Sequence, residues 1–178
     1  MELNLLALQD VMLSAMTGNP PLGETMYVLC SEVQRIAPDV VVAAVRLDSD
    51  SRMRPIPSPS LPPSYDAARD GMLAGPATGT CGPAMMLGEA VLTRDIREDP
   101  NWRMLTHLVE PLGLRACWSH PVKDQSGRVL GSLAFYFRQP GEPGDSYVKL
   151  ADACLRLCSL AFELEDTHSS LQRLAYFD

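Results

Sequence analysis

The chain has 178 residues, 46% hydrophobic and 21% charged, which fits one domain with an ordinary buried core. Its formal net charge of −7 argues against nucleic acid or an anionic membrane as a partner held by bulk electrostatics. No apolar run is long enough to cross a bilayer, and no basic segment followed by an unbroken apolar one marks a signal peptide, so the expected compartment is the cytoplasm.

Leu3 to Met16 reads as an amphipathic helix. Leu5, Leu8, Met12 and Ala15 recur at helical spacing, as do Leu6 and Leu13, and Thr17-Gly18-Asn19-Pro20-Pro21 ends the run. Leu22 to Ala37 is a second helix with Met26, Leu29, Cys30, Val33 and Ile36 on one face, closed by Pro38. Val40 to Leu47 is a buried strand rich in β-branched residues. Asp48-Ser49-Asp50-Ser51 turns the chain, and Arg52 to Ile56 reads as the second strand of a hairpin. Five prolines between Pro55 and Pro63 stiffen the connection that follows, and a helix then runs to about Met72.

The stretch from Gly75 to Ser119 concentrates the chemistry. Thr80 is placed to cap a short helix that begins at Cys81 and stops near Gly88. Ala90 to Ile96 is a short β-like run, and Asp99-Pro100 opens another helical turn with Asp as cap. Leu114 to Ser119 is extended and carries Cys117 and Trp118 into a hairpin that turns at Lys123 to Gly127. Val129 to Phe137 is the last strand, with Phe135 and Phe137 on one face.

From Ser146 the pattern is helical to the end. Leu150, Leu157, Leu164 and Leu171 recur every seventh residue, with Cys154, Ala161, His168 and Ala175 at the other seam positions. That heptad predicts a dimer-forming coiled coil, with its first half packed on its own domain through Cys158 and Phe162.

The five cysteines, at 30, 81, 117, 154 and 158, are odd in number and form no disulfide framework. Without a Cys-x-x-Cys pair, and with the three histidines scattered, no metal site is assigned; reduced thiols are expected. Cys81 stands at a helix start, where a thiolate is favoured, whereas Cys30 reads as a small core residue.

In order, Gly79-Thr80-Cys81-Gly82-Pro83-Ala84, Thr93-Arg94-Asp95-Ile96, Asp99-Pro100-Asn101-Trp102 and Leu114-Arg115-Ala116-Cys117-Trp118-Ser119 resemble a GAF domain. Pro59 to Tyr65 upstream and Val129 to Ala134 downstream fit the same pattern. The likeness is to bacterial GAF modules that precede diguanylate cyclase, phosphodiesterase or histidine kinase units. It implies an α+β fold, a central antiparallel sheet with helices on its faces, in one domain spanning 1–178. Residues 1–20 would be an N-terminal helix, 21–143 the core and 144–178 a signalling helix leading to an output domain absent from this chain. Leu174-Ala175-Tyr176-Phe177-Asp178 is similar to the lead-in to a GGDEF domain, which implies cyclic-di-GMP output.

The resemblance implies regulatory sensing of a small molecule or of redox state, with no catalytic residue in this chain. Tyr65, Met85, Met86, Trp102 and Trp118 are candidate pocket walls, Thr93 and Ser119 candidate hydrogen-bonding groups, and Cys81 and Cys117 candidate ligand contacts, Cys81 being the more reactive. Core packing explains the same side chains equally well. A homodimer is expected through Leu5, Leu8 and Met12 of the first helix and Leu150, Leu157, Leu164 and Leu171 of the last. The ligand and any cofactor stay unidentified.

Two further readings compete: a dimerisation module without ligand, and an enzyme like the free methionine-(R)-sulfoxide reductases, GAF-fold proteins that use cysteines. Gly79-Thr80-Cys81-Gly82 fits the reductase pattern, but no cysteine lies between Gly82 and Ala116, and Trp118 replaces the acidic residue after the second cysteine. His107 or His120 as a haem ligand lacks a Cys-x-x-Cys-His attachment motif. Bilin attachment would need a cysteine followed by histidine, and there is none; nor is there a phosphate loop or a Ser-His-Asp order.

Overall fold

The computed structural model describes residues 4–177; Leu3 and Asp178, at the ends of the expected terminal helices, lie outside the described residues. The elements are α1 (Leu5–Met16), α2 (Leu22–Ile36), β1 (Val40–Leu47), β2 (Met53–Ile56), α3 (Pro63–Arg69), α4 (Cys81–Leu87), β3 (Val91–Thr93), α5 (Thr106–Val109), β4 (Ala116–Lys123), β5 (Val129–Phe137) and α6 (Asp145–Phe177). Two single 3-10 turns, Pro100–Trp102 and Glu110–Leu112, flank α5. The helix after the prolines ends at Arg69 rather than Met72, because Asp70 turns extended and Gly71 takes a positive φ of 81°. The β-like run from Ala90 shortens to three residues, since only Val91 to Thr93 find partners on β4.

The five strands form one antiparallel sheet in the order β2-β1-β5-β4-β3. Helices cover both of its faces, which is why β1 reads as an unbroken apolar run rather than an alternating one. Val40, Val42 and Ala44 join Leu133 and Phe135 under α1, α2 and α6. Val41, Ala43 and Val45 join Ala134 and Tyr136 on the opposite face, under α3, α4 and α5. The hairpin turns are held by aspartates: Asp48 Oδ1 accepts from the Asp50 and Arg52 amides, and Asp124 Oδ1 from those of Ser126 and Arg128.

Gly131 is where α6 meets the sheet. A Cβ there would lie 2.1 Å from the Val45 carbonyl oxygen and 2.8 Å from the Phe162 ring. Only glycine permits that approach. The first half of α6 is core: Leu150, Ala151, Cys154, Leu157, Cys158, Ala161 and Phe162 are all buried with Leu8 and Met12 of α1. This corrects the dimer reading of four residues. Leu8, Met12, Leu150 and Leu157 fill this chain's own core and present no face to a second copy. Leu5 packs at the core's edge, whereas Leu164 and Leu171 are exposed. Arg128 fastens the β4–β5 turn to the helix through Asp166 at 2.7 Å. Among the described residues no helix is long and apolar enough to cross a membrane.

A buried polar cluster as candidate functional site

The layer of α3, α4 and α5 covers a group of polar side chains set among apolar ones. α4 starts at Cys81 as the sequence predicts, yet Thr80 does not cap it with its side chain. Its hydroxyl turns inward. Trp102 Nε1 donates to Thr80 Oγ1 at 2.8 Å, and Thr80 Oγ1 meets Thr93 Oγ1 at 2.7 Å. Thr93 donates to Asp99 Oδ2 at 2.8 Å. Thr93 has one proton and gives it to the carboxylate, so in the Thr–Thr pair Thr80 is the donor. The chain of bonds therefore runs one way, from Trp102 through both threonines to Asp99. Asp99 also caps the Pro100–Trp102 turn by accepting from the Asn101 amide, so one residue builds the turn and ends the relay.

Beside it stand the two cysteines. Cys81 Sγ lies 3.3 Å from Ser119 Oγ, and Cys117 Sγ lies 3.6 Å from the same oxygen. One buried hydroxyl thus serves both sulfurs. Burial, with the neighbouring Cys81 adding to it, pushes the Cys117 thiol up to about 12, so it is held protonated at neutral pH. Next come two tyrosines. Tyr65 and Tyr136 share a hydrogen bond of 2.5 Å between their hydroxyls, with rings edge to face at 6.2 Å. Burial holds both phenols above the ordinary range. Arg69, one helical turn after Tyr65, lays its guanidinium 4.6 Å from the Tyr65 ring centroid. The charge is near enough to Tyr65, Tyr136, Cys81 and Cys117 to interact with them electrostatically.

The structure brings together Tyr65, Cys81, Met85, Thr93, Trp102, Cys117 and Ser119, all buried on this face. It does not bring Trp118. Successive strand residues point to opposite faces, so with Cys117 and Ser119 on the cluster side Trp118 must face the other way. There it contacts His120 at 4.2 Å and Phe135 at 6.2 Å between ring centroids, below the terminal helices. Met86 also fails as a wall, since it is exposed on the outer side of α4. Sequence reasoning missed Arg69, Thr80's inward turn and Tyr136. Arg69 had a readable signal: it lies four residues after Tyr65 on a helix and so shares its face. Among the described residues no three His, Cys, Asp or Glu side chains are grouped to hold a metal ion.

Residues 20–163 match the GAF domain family, and the chain belongs to it. It is 26% identical over 156 residues to the methyl sulfide methyltransferase-associated sensor of Methanosarcina acetivorans, a match that covers 87% of this chain. The match takes in only 16% of that protein's length. The fold is similar to a domain of a putative two-component sensor histidine kinase from Sinorhizobium meliloti, with a TM-score of 0.64 and 18% identity over 84% of this chain and 96% of that one. It is also similar to the free methionine-R-sulfoxide reductase of Neisseria meningitidis, with a TM-score of 0.63 and 15% identity over 90% and 89% of the two chains.

Proposed function

We propose that this GAF domain is a sensory module: a small molecule or a redox change at the Tyr65–Cys81–Cys117–Tyr136 cluster alters α1 and α6, which act on an output domain. The observation that carries this reading is the shared strands. β4 sends Cys117 and Ser119 to the cluster and Trp118 to the helical side, while β5 sends Tyr136 to the cluster and Phe135 to the helices. A displacement of Tyr136 is thereby a displacement of the wall against which α6 packs, and α1 in turn packs on α6. The sensor relative from Methanosarcina acetivorans and the histidine kinase domain from Sinorhizobium meliloti support signalling as the role. The output is proposed to be a histidine kinase or a cyclic-di-GMP enzyme, and the exposed leucines of α6 to pair two copies.

The test is native mass spectrometry of the freshly purified protein, followed by hydrogen exchange across α6 with and without whatever mass is retained. A retained small molecule whose removal changes exchange in α6 supports sensing. No retained mass, together with α6 exchange that ignores both metabolite extract and oxidant, removes the reading in favour of a structural module.

The reductase is the second reading, favoured by the two sulfurs on one hydroxyl and by the likeness of fold to the Neisseria enzyme. Sulfoxide reduction needs a thiolate to attack and a second thiol to resolve the product. Cys117 is buried and held as the thiol, which disfavours it in either role. Thiol-dependent turnover of free methionine sulfoxide by the wild type, lost in Cys81→Ser or Cys117→Ser, would establish the enzyme; the expected result is no turnover.

A further inference from the structure

We infer that the cluster takes an anion of single negative charge, a small carboxylate on an apolar body, with Arg69 as its counter-charge. The inference rests on the sensing reading and names the ligand class.

Arg69 is 4% exposed, and its Nη1 is buried without a hydrogen-bond partner. Among the described residues no acid forms an ion pair with it. A guanidinium cannot shed its proton to escape this situation. Contact with the Tyr65 ring offsets part of the desolvation, but a ring face supplies no acceptor for the N–H groups. Asp66, one turn earlier on α3, is close enough to feel the charge, yet burial raises its carboxyl rather than pairing lowering it on balance. A buried, unpaired cation is costly, and proteins pair such groups or place them where a ligand does so.

The surroundings narrow the ligand. The side chains around the guanidinium are phenols, thiols and apolar groups: Tyr65, Tyr136, Cys81 and Cys117, with Met85 and Trp102 in the same buried layer. The neighbourhood offers one positive charge. A dianion such as a phosphate monoester would leave one negative charge buried and unpaired. A carboxylate balances the charge, fits the planar fork of the guanidinium with two parallel hydrogen bonds, and leaves its apolar remainder for the aromatic walls. In the Tyr65–Tyr136 pair one hydroxyl donates to the other, so the accepting hydroxyl keeps its proton available to a bound carboxylate oxygen.

The experiment compares carboxylates with their neutral isosteres on the full chain. Acetate, isobutyrate and benzoate, and the corresponding amides, are titrated at millimolar concentration by thermal shift and calorimetry. The wild type is expected to be stabilised by at least one carboxylate and to bind its amide at least about tenfold more weakly, since a charge-assisted hydrogen bond is lost. Arg69→Met is expected to remove the carboxylate preference without lowering the midpoint of the ligand-free protein, because an unpaired cation leaves the core. Arg69→Lys keeps the charge and is expected to retain a weakened preference, which separates ligand recognition from a structural role should Arg69→Met fail to fold. Equal binding of acid and amide, no response to any carboxylate, or an unchanged preference in Arg69→Met overturns the inference. A neutral molecule retained in native mass spectrometry overturns it too, while leaving the sensing reading intact.

Discussion

Trp102 donates its indole N–H to the hydroxyl of Thr80 across 2.8 Å, joining the turn before α5 to the start of α4. Thr80 is the middle of a directed chain, so its loss strands groups on both sides. Thr80→Val keeps the shape but leaves the Trp102 N–H unpaired and deprives Thr93 of its donor. The expected cost is about 1–3 kcal/mol in chemical unfolding. Thr80→Ser, which keeps the oxygen, should recover most of it.

The buried thiols make the fold alkali-labile. Burial raises Cys30 and Cys117 from the ordinary 9.0 to about 12, and raises Cys154 and Cys158 as well. A group whose folded pKa is raised stabilises the fold fully below the unfolded value, and that contribution is lost as pH climbs toward the folded one. Stability measured against pH should therefore fall from about pH 9 toward pH 12, and Cys30→Ala should flatten part of the slope.

His120 acts at the other end of the scale. Its ring packs 4.2 Å from Trp118 and 5.9 Å from Phe135 between centroids, and its Nε2 is buried without a partner. Burial lowers it from 6.5 to about 4, with Asp152 opposing. The neutral ring is the folded form, so stability holds above pH 6.5 and declines as pH falls toward 4. Replacing it by phenylalanine should remove this acid-sensitive component from a stability–pH curve.

Gly131→Ala should weaken the joint between the sheet and α6. The added carbon would press on the Val45 backbone, which cannot rotate away as a side chain can. A loss of about 3 kcal/mol is expected, at the upper end of overpacking costs. Equilibrium denaturation that places Gly131→Ala level with the wild type would show that the strands yield more easily than this packing allows.

Most of the framework was legible because its signals are local. Val40 to Leu47 and Val129 to Phe137 run in β-branched or aromatic stretches bounded by turn residues, and both strands keep the expected limits. The site was legible only in part. Cys81, Cys117 and Ser119 could be gathered from motif order, but Trp118 was misassigned, since a motif read as a string ignores the alternation of faces along a strand. Arg69 was legible as a neighbour of Tyr65 on one helix face, but not as a buried group. A charged residue on a short helix ordinarily faces water, and nothing local reveals that this one ends up 4% exposed.

The heptad of α6 shows the same limit and leads to the last prediction. Leu150 and Leu157 follow the repeat as faithfully as Leu164 and Leu171, yet the first pair is core and the second is 38% and 60% exposed. Spacing cannot say whether a stripe meets its own domain or another copy. Leu160, Leu164, Leu171 and Leu174 fall on one side of the helix by helical spacing, and all four are exposed. If that stripe pairs two chains, Leu164→Glu with Leu171→Glu should convert a dimer to a folded monomer whose melting temperature falls only by the association energy lost and the partial burial of Leu164. Leu157→Glu should instead lower the melting temperature sharply, by placing a charge inside the core. Light scattering at roughly tens of micromolar, a concentration that detects association of that strength, reads the first outcome. A wild-type monomer there, or a double variant that stays dimeric, would take the seam away from these leucines.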